Sequence, residues 1–223
     1  MNLPPIVFAG DPHGNFTPIV RNCLALDAGT LILVGDCDCR RPLTELLAPL
    51  FAAGWDVRWI LGNHDTENEH AYDNLVGAHP DGDIGLKVVE IEGLKIAGLP
   101  GVFRPRIWSG DMAEPPGFPT RRDFLASLRP DELWRGGLPL WHRDSIFPED
   151  IDLLSSRPID VLVCHEAPTA HPHGLDAIDT VARRTGARLV VHGHHHTSYD
   201  AMIDGAVRVR GLALAETWVM SLD

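Results

Sequence analysis

The sequence predicts an α/β fold in which a parallel sheet forms part of the core. Two short apolar runs, 6–9 and 31–34, each end in Gly-Asp, which is typical of strands buried on both faces. Over 16–26, between these runs, apolar residues recur at close to helical spacing. A second helical stretch at 42–53 leads to a third apolar run at 57–61. Strands that alternate with helices in this way pair in parallel.

Two residues bound the second predicted helix: Pro42 suits its first turn, and Gly54 suits its stop. The elements after the third strand indicate a change of architecture. After the third strand, the apolar stretches 87–91 and 94–97 flank a Glu-Gly pair, which predicts a hairpin. A second sheet region therefore begins at this hairpin.

Residues 101–148 fit the alternation of strands and helices poorly. The segment is rich in Pro, Gly, Arg and Trp, and a helix is predicted only at 121–128. We expect one domain over 1–223, with this segment as an insertion. The segment either packs as an irregular excursion with its tryptophans in a local core, or covers the site as a substrate-facing cap. The tryptophans concerned are Trp108, Trp134 and Trp141.

Strands and helices alternate again after the insertion. The predicted elements are a strand at 159–164, a helix at 175–184, a strand at 189–191, and candidate strands at 207–214 and 217–220 after a turn at 204–205. The turn at 204–205 predicts a last hairpin.

Composition limits the classes of function. A chain of 223 residues with 44% hydrophobic content is long enough for one domain with a large core. Its 19 basic and 31 acidic residues give a net charge of −12, which argues against generic nucleic-acid binding, because that depends on Lys and Arg. A phosphate substrate is still compatible, since two bound divalent cations would invert the local field.

The sequence also predicts a compartment. The four cysteines lack the spacing of a disulfide framework, so we expect reduced thiols. The first ten residues lack the basic start of a signal peptide, and no apolar run approaches the ~20 residues of a membrane span. We expect a soluble, cytoplasmic protein without a membrane partner, and its oligomeric state is left open. The cysteines are Cys23, Cys37, Cys39 and Cys164.

Five short polar clusters stand at or just past the ends of apolar runs. Each offers only one or two groups that could hold a metal, so the set makes sense if the fold gathers them at one point. In open α/β sheets, functional groups collect beyond the carboxyl ends of strands. The pattern therefore indicates a two-metal site. The clusters are Asp11-Pro-His13, Gly35-Asp36, Gly62-Asn63-His64-Asp65, His165 and Gly193-His194-His195-His196.

The ligand types in these clusters point to one kind of chemistry. Carboxylate, imidazole and amide oxygen donors suit Mn, Fe, Zn or similar ions better than a thiolate site would. A water held between two ions ~3.5–4 Å apart becomes a nucleophile near neutral pH and attacks phosphorus in line. We therefore expect phosphoester hydrolysis through a metal-bridging hydroxide.

In this order, the clusters resemble the calcineurin-like metallophosphoesterases, whose pattern is D-x-H, G-D, G-N-H-[DE], H and G-H-x-H. The resemblance runs from Asp11 to His196. It implies a four-layer α/β/β/α sandwich, with two mixed sheets flanked by helices. It also implies two divalent metal ions and a small-molecule phosphoester substrate.

The resemblance further implies a role for each site residue. His64 would contact the phosphate or protonate the leaving oxygen, and Asp65 would orient its ring. The metal residues implied are Asp11, His13 and His196 for the first ion, Asp36 as the bridge, and Asn63, His165 and His194 for the second ion.

The chain departs from the family pattern after Asp36. Many relatives carry G-D-x-x-[DN], whereas here Cys39 stands at the acidic position and Asp38 lies one place before it. We interpret Cys37 and Cys39 as small buried or loop residues. Support for the site from this position is therefore in question.

Further polar residues lie near the clusters, and each needs its own interpretation. His192 is interpreted as structural, and His195 should point away from the pair His194 and His196, because alternate residues of an extended strand share a side. Asn15 suits either a helix cap or a phosphate donor. His171 and His173 are interpreted as a solvated loop. Arg104, Arg106 and Arg143 are either solvated side chains or a clamp for a second phosphate or a nucleotide.

Three functions compete within these limits. The Gly-Asn-His-Asp cluster and the full Gly-His-x-His favour a phosphoesterase for a small phosphodiester, a nucleotide or a phosphomonoester. The start Gly10-Asp11-Pro12-His13-Gly14 instead echoes protein Ser/Thr phosphatases and dinucleoside-polyphosphate hydrolases. A non-catalytic scaffold of the same fold is the rival from a different class.

Overall fold

The computed structural model describes residues 3–220, and ten strands within this range form two sheets. The strands are β1 Ile6–Ala9, β2 Thr30–Leu33, β3 Asp56–Trp59, β4 Val88–Ile91, β5 Leu94–Leu99, β6 Val161–Cys164, β7 Leu189–His192, β8 Tyr199–Ile203, β9 Val207–Gly211 and β10 Thr217–Val219. Each apolar run that the sequence placed in a strand overlaps one of them.

Seven α-helices accompany the strands in the same range. They are α1 Thr17–Cys23, α2 Leu43–Leu46, α3 Ala48–Ala52, α4 Glu69–Tyr72, α5 Arg121–Ser127, α6 Pro148–Ser155 and α7 Asp176–Thr185. Two short 3₁₀ helices lie near the functional site, His64–Thr66 and Leu140–His142.

Both sheets are mixed, as expected. In the first sheet the strand order is β10-β1-β2-β3, with β1, β2 and β3 parallel and β10 antiparallel. In the second sheet the order is β4-β5-β6-β7-β9-β8, in which β5, β6, β7 and β9 are parallel and the two edge strands are antiparallel. The carboxyl ends of the central strands of each sheet therefore lie at one edge.

Successive side chains of a strand point to opposite faces of its sheet, and this arrangement gives the fold four layers. Ile6 and Phe8 of β1 belong to a buried cluster shared with Val163 of β6, so these side chains lie between the sheets. Val7 and Ala9 point the other way, into a cluster that the first sheet forms with α1, α2 and α3. Because successive side chains of a strand alternate between faces, one apolar run fills both cores. The predicted α/β/β/α arrangement is confirmed.

Two local predictions near the first sheet are wrong. The helix expected at 42–53 is split into α2 and α3. Pro49 explains the break, since it lacks an N–H and its ring clashes with a carbonyl in the preceding turn. The cap role for Asn15 also fails, because the N-cap of α1 is Phe16, without a side-chain cap hydrogen bond.

The 101–148 segment packs against the second sheet. Trp108 and Phe124 are buried in one cluster with Leu99 of β5. Trp141, by contrast, is 48% exposed. Helix α6 directly follows the segment and was not foreseen from the sequence. The expectation of tryptophans in a local core therefore holds for Trp108 and not for Trp141.

The helices of this fold are short. Among residues 3–220, no helix is both long enough and apolar enough to cross a bilayer.

Candidate metal centre

The five clusters converge on one edge of the two sheets. They follow the carboxyl ends of β1, β2, β3, β6 and β7. Because β1, β2 and β3 are parallel to one another, and β6 is parallel to β7, the loops after them open on a common side. Two groups of three candidate ligands form there, and both contain Asp36.

The first group consists of His13, Asp36 and His196. His13 Nε2 lies 3.1 Å from His196 Nε2 and 3.7 Å from Asp36 Oδ2. Two nitrogens bound to one ion at about 2.1 Å lie roughly 3.0–3.4 Å apart, depending on the bond angle. The spacing of the two imidazoles therefore fits a shared cation.

The second group consists of Asp36, His165 and His194. His165 Nε2 is 3.3 Å from Asp36 Oδ2 and 3.2 Å from Asn63 Oδ1. Its Nδ1 lies 2.9 Å from the carbonyl oxygen of Val34. A carbonyl can only accept, so Nδ1 donates and the Nε2 lone pair faces the ligand oxygens.

Asp36 is the residue common to both groups. Its Oδ1 accepts a hydrogen bond from the backbone N–H of His64 at 2.8 Å, which leaves Oδ2 toward the imidazoles. Burial raises the pKa of Asp36, but His165 and the His64 N–H outweigh it and hold that pKa below its ordinary value. This carboxylate is thus charged and shared.

Asp11 is buried beside these groups and is not fully satisfied. Its Oδ1 accepts from the backbone N–H of His194 at 3.2 Å and lies 3.6 Å from His165 Nδ1. Its Oδ2 is buried and has no hydrogen-bond partner among the described residues. Burial raises the pKa of Asp11 to about 6, although His165 opposes the rise. An unsatisfied buried carboxylate oxygen is costly, and a cation would satisfy it.

Two glycines allow the loops to approach these carboxylates. A Cβ atom at Gly62 would lie 2.3 Å from Asp36 Oδ1, and one at Gly193 would lie 2.6 Å from Asp11 Oδ1. Both distances are well inside van der Waals contact. The Gly-Asn-His and Gly-His motifs therefore need glycine because a side chain would displace a ligand.

His64 stands at the exposed side of the centre. Its side chain is 40% exposed, and Nε2 lies 4.0 Å from Asp36 Oδ2. The ring makes an edge contact with His13, with ring centroids 4.8 Å apart. An imidazole in this position borders the ligand groups and is open to solvent.

Asp65 does not make the contact with His64 that was expected. Its side chain is buried, and its two oxygens accept from the backbone N–H groups of Gly62 at 2.8 Å and Asp38 at 3.0 Å. Burial, with the nearby Asp36 charge, raises the pKa of Asp65 to about 7. Glu67 is the carboxylate beside His64, with Oε1 3.0 Å from His64 Nδ1. This corrects the expectation that Asp65 orients the imidazole.

The other histidines lie beside the two Asp36 groups. His192 is buried, with Nδ1 2.9 Å from the Gly193 carbonyl and Nε2 2.7 Å from the Tyr199 hydroxyl, which agrees with a structural role. His195 stacks on His171, with ring centroids 4.1 Å apart. His171 is therefore packed, and the expectation of a solvated loop is wrong for it.

A third possible ligand group shares a residue with the second. It consists of Glu166, His194 and His195, and Glu166 Oε2 lies 4.0 Å from His194 Nε2. Burial raises the pKa of the Glu166 carboxyl. This group extends the second ligand group toward the 101–148 segment, because Glu166 Oε1 accepts from the Phe103 N–H at 3.2 Å.

The 101–148 segment borders the centre on this side. Its 3₁₀ helix Leu140–His142 contacts the 3₁₀ helix His64–Thr66. Arg104 pairs with the buried Asp144 at 2.7 Å and lies over the ring of Trp141, 4.0 Å from its centroid. Arg104 is thus held in an ion pair, and neither expectation for it, a solvated side chain or an available clamp, describes its position.

The two cysteines after Asp36 are buried, as expected. Cys37 and Cys39 are fully inaccessible, and neither belongs to a candidate ligand group within the described residues. Their side chains lie in the core beneath the first sheet. The position where many relatives carry an acid therefore offers no carboxylate here.

Known proteins share both the sequence pattern and the fold. The calcineurin-like phosphoesterase family pattern matches residues 4–198. An uncharacterized protein of Haemophilus influenzae is 40% identical over 198 residues, which cover 87% of this chain and 84% of that protein. The family pattern therefore covers most of this chain.

Solved structures resemble the chain at low sequence identity. One, from Thermus thermophilus, has a TM-score of 0.58 at 12% identity and covers 96% of this chain and 91% of its own. A dimetal phosphatase from Danio rerio has a TM-score of 0.53 at 12% identity, covering 95% and 88%. These likenesses support the fold.

Together, the fold and the ligand groups define a metal-dependent phosphoesterase, a hydrolase that acts on phosphoester bonds. The chain belongs to the calcineurin-like phosphoesterase family. Membership implies divalent metal ions and phosphoester substrates, and the carboxylate and imidazole donors around Asp36 fit such ions.

Proposed function

We propose that this protein is a dinuclear phosphoesterase that hydrolyses small phosphoesters. The observation that carries the proposal is the position of Asp36 Oδ2, which lies 3.7 Å from His13 Nε2 and 3.3 Å from His165 Nε2. One carboxylate oxygen therefore faces both ligand groups, as a residue shared by two ions must.

The proposed ligands divide between two ions. The unsatisfied Oδ2 of Asp11 and the 3.2 Å approach of Asn63 Oδ1 to His165 support adding Asp11 and Asn63 to the three-residue groups. The first ion would be held by Asp11, His13, Asp36 and His196, and the second by Asp36, Asn63, His165 and His194.

The residues around the proposed ions would contact the substrate and hold the loops of the site in place. Bound divalent ions supply a water nucleophile at neutral pH and positive charge for the reacting phosphate. His64 offers its Nε2 to a substrate that enters from solvent, to contact a phosphate oxygen or give a proton to the leaving oxygen. Asp65 holds the loops of Gly62 and Asp38 in place through their N–H groups.

The proposed substrate is a small phosphodiester, a nucleotide or a phosphomonoester. The exposed ring of His64 and the adjoining 101–148 segment support a site open to small molecules. A second candidate, a protein Ser/Thr phosphatase or a dinucleoside-polyphosphate hydrolase, is favoured by the sequence Gly10-Asp11-Pro12-His13-Gly14. A panel of phosphomonoesters, phosphodiesters, dinucleoside polyphosphates and phosphopeptides would separate these classes.

A hydrolysis assay tests the proposed function. The protein reconstituted with Mn²⁺ should hydrolyse bis-p-nitrophenyl phosphate or p-nitrophenyl phosphate. Asp36→Ala should abolish the activity because it removes the shared ligand, and His64→Ala should lower it about 100-fold or more. Parallel reconstitution with Fe²⁺ and Zn²⁺ identifies the ion that supports the fastest turnover.

The control is His70→Ala, which removes an exposed imidazole on α4. It should keep wild-type activity. An Asp36→Ala variant as active as the wild type would show that the ligand assignment is wrong. A wild-type protein that neither binds metal nor hydrolyses any substrate would instead support the non-catalytic scaffold.

A further inference from the structure

We propose that Glu67, and not the adjacent Asp65, is the positioning residue of His64. The proposal rests on the proposed function, since it assigns a partner to the imidazole that acts there. It is carried by the 3.0 Å distance from Glu67 Oε1 to His64 Nδ1.

Local backbone geometry brings the two side chains together. His64 begins the 3₁₀ helix His64–Thr66, and Glu67 follows as its C-cap, three residues from His64. Side chains three apart on a 3₁₀ helix eclipse each other, so both lie on one side of this turn. Asp65, one residue from His64, points into the core instead. His64 is therefore contacted by Glu67, three residues away, and not by the adjacent acid Asp65.

Asp65, the acid next to His64 in the sequence, is engaged elsewhere. Asp65 uses both oxygens on backbone N–H groups, and the backbone N–H of Asp38 is one of them. Cys39 is fully buried and carries no carboxylate. Among the described residues, Glu67 is the acid whose carboxylate lies within 4 Å of His64 Nδ1, whereas the Asp36 carboxylate lies on the Nε2 side of the ring.

The contact favours one arrangement of the ring nitrogens. A carboxylate oxygen 3.0 Å from Nδ1 favours an N–H over a lone pair at that atom, so we expect Nδ1 to carry the hydrogen on the side of Glu67. The Nε2 atom, 4.0 Å from Asp36 Oδ2, is then left for the substrate. Glu67 acts through His64 and does not itself touch the reacting atoms.

We expect folding not to depend on this pair. The side chains of His64 and Glu67 are 40% and 43% exposed, and exposed pairs contribute little to stability. Removing Glu67 should therefore leave the protein folded and its metal ligands in place. A change in His64 can then be assigned to the lost contact.

The first test measures the His64 ring directly. Nitrogen NMR of the ¹⁵N-labelled, Zn²⁺-loaded protein at about pH 8, above the ordinary histidine pKa, reports which ring nitrogen is protonated. Wild type should show His64 with Nδ1 protonated, and Glu67→Ala should show a mixture of both forms. His64→Ala identifies the signal. A His64 signal that is the same in wild type and Glu67→Ala would overturn the proposal.

The second test is kinetic. Glu67→Ala should lower kcat about tenfold with KM within about twofold of wild type, because an ill-positioned imidazole impairs the chemical step. The double variant His64→Ala/Glu67→Ala should be no slower than His64→Ala alone. Glu45→Gln, which removes an exposed carboxylate on α2, is the charge control and should match wild type.

The outcomes separate this proposal from the proposed function. Equal kcat in Glu67→Ala and wild type, or a double variant slower than His64→Ala by the full Glu67 effect, would overturn the role of Glu67. A wild type without activity on any phosphoester would overturn the proposed function, while the NMR test of the pair would still apply.

Discussion

Four of the candidate metal ligands occupy backbone conformations that most residues avoid. The φ angles of His13, Asp36, His194 and His196 are 42°, 49°, 66° and 51°. For residues with a Cβ, the left-handed region costs roughly 1–3 kcal/mol each and persists where the surrounding structure imposes it. The loops thus turn sharply, and the buried sheets hold them so that their side chains converge.

Gly193→Ala should damage the centre without altering any ligand. The new Cβ would lie 2.6 Å from Asp11 Oδ1, so the carboxylate must move. We expect activity and bound metal to fall about tenfold or more, measured on the reconstituted protein. Gly77→Ala is the matched control, since its nearest neighbour would be 3.9 Å away. If Gly193→Ala keeps wild-type activity and wild-type metal content, the position of Asp11 does not matter for metal binding or catalysis.

His142 predicts an acid-dependent loss of stability. Burial, with Arg104 and Arg106 nearby, lowers the pKa of this imidazole to about 4. In the unfolded chain the pKa of His142 is near the ordinary value of 6.5. As pH falls, the unfolded state therefore binds this proton before the folded state does. Stability is therefore lost between those two values.

The check is urea unfolding at about pH 7 and about pH 5. Asn can preserve the hydrogen bond to Ser145 that His142 Nδ1 makes at 3.0 Å, without a titrating ring. His142→Asn should lose less stability than wild type over this range, by about 2 kcal/mol. Equal losses in the two proteins would contradict the assignment.

At the scale of elements, loops and the 101–148 segment form the edge that carries the candidate metal centre. The loops follow parallel strands, whereas the segment adds the 3₁₀ helix Leu140–His142 against His64–Thr66. Part of the segment is core, through Trp108 and Phe124. Its Trp141 remains 48% exposed and is held by Arg104. We propose that this part contacts the substrate.

Trp141→Ala should therefore raise KM more than it changes stability. An exposed ring held by a buried ion pair can stack on an aryl or base group of the substrate, and its loss should raise KM about threefold or more for an aryl phosphoester. The melting temperature should stay near that of wild type. Met112→Ala, at another exposed apolar residue of the segment, is the control. An unchanged KM would favour the packing role alone.

At the scale of the whole molecule, the protein is acidic, and three of its acidic side chains are buried close together. The chain carries a net charge of −12, and three of its carboxylates, Asp11, Asp36 and Asp65, are buried near each other. Burial raises the pKa values of Asp11 and Asp65. Burial lowers the pKa of His165, but the charges of Asp36 and Asp11 outweigh it and raise that pKa to about 10. Two divalent cations would offset this concentration of charge.

Much of this arrangement could be predicted from the sequence. Apolar runs such as Ile6–Ala9 predict strands because burial on both faces demands continuous apolar residues. Their parallel order then places the polar residues that follow them on one edge. The structure places His13 and His196 in one group with Asp36, and His165 and His194 in another; that each group holds an ion stays a prediction.

Other features depend on contacts between distant parts of the chain. The stacking of His171 on His195 joins loops far apart in sequence, so periodicity gives no sign of it. The pairing of Arg104 with Asp144 likewise depends on how the 101–148 segment folds back. The contact of Glu67 with His64 is local, and its three-residue spacing was the available signal.

The central claim is that two ions share Asp36, and a metal titration tests it most directly. Metal-free protein is titrated with Mn²⁺ while bound metal and phosphoesterase activity are both followed. We predict binding of two equivalents per chain, with activity reaching its maximum only at the second, and the loss of this behaviour in Asp36→Asn. Full activity at one equivalent, or unchanged binding and activity in Asp36→Asn, would contradict it.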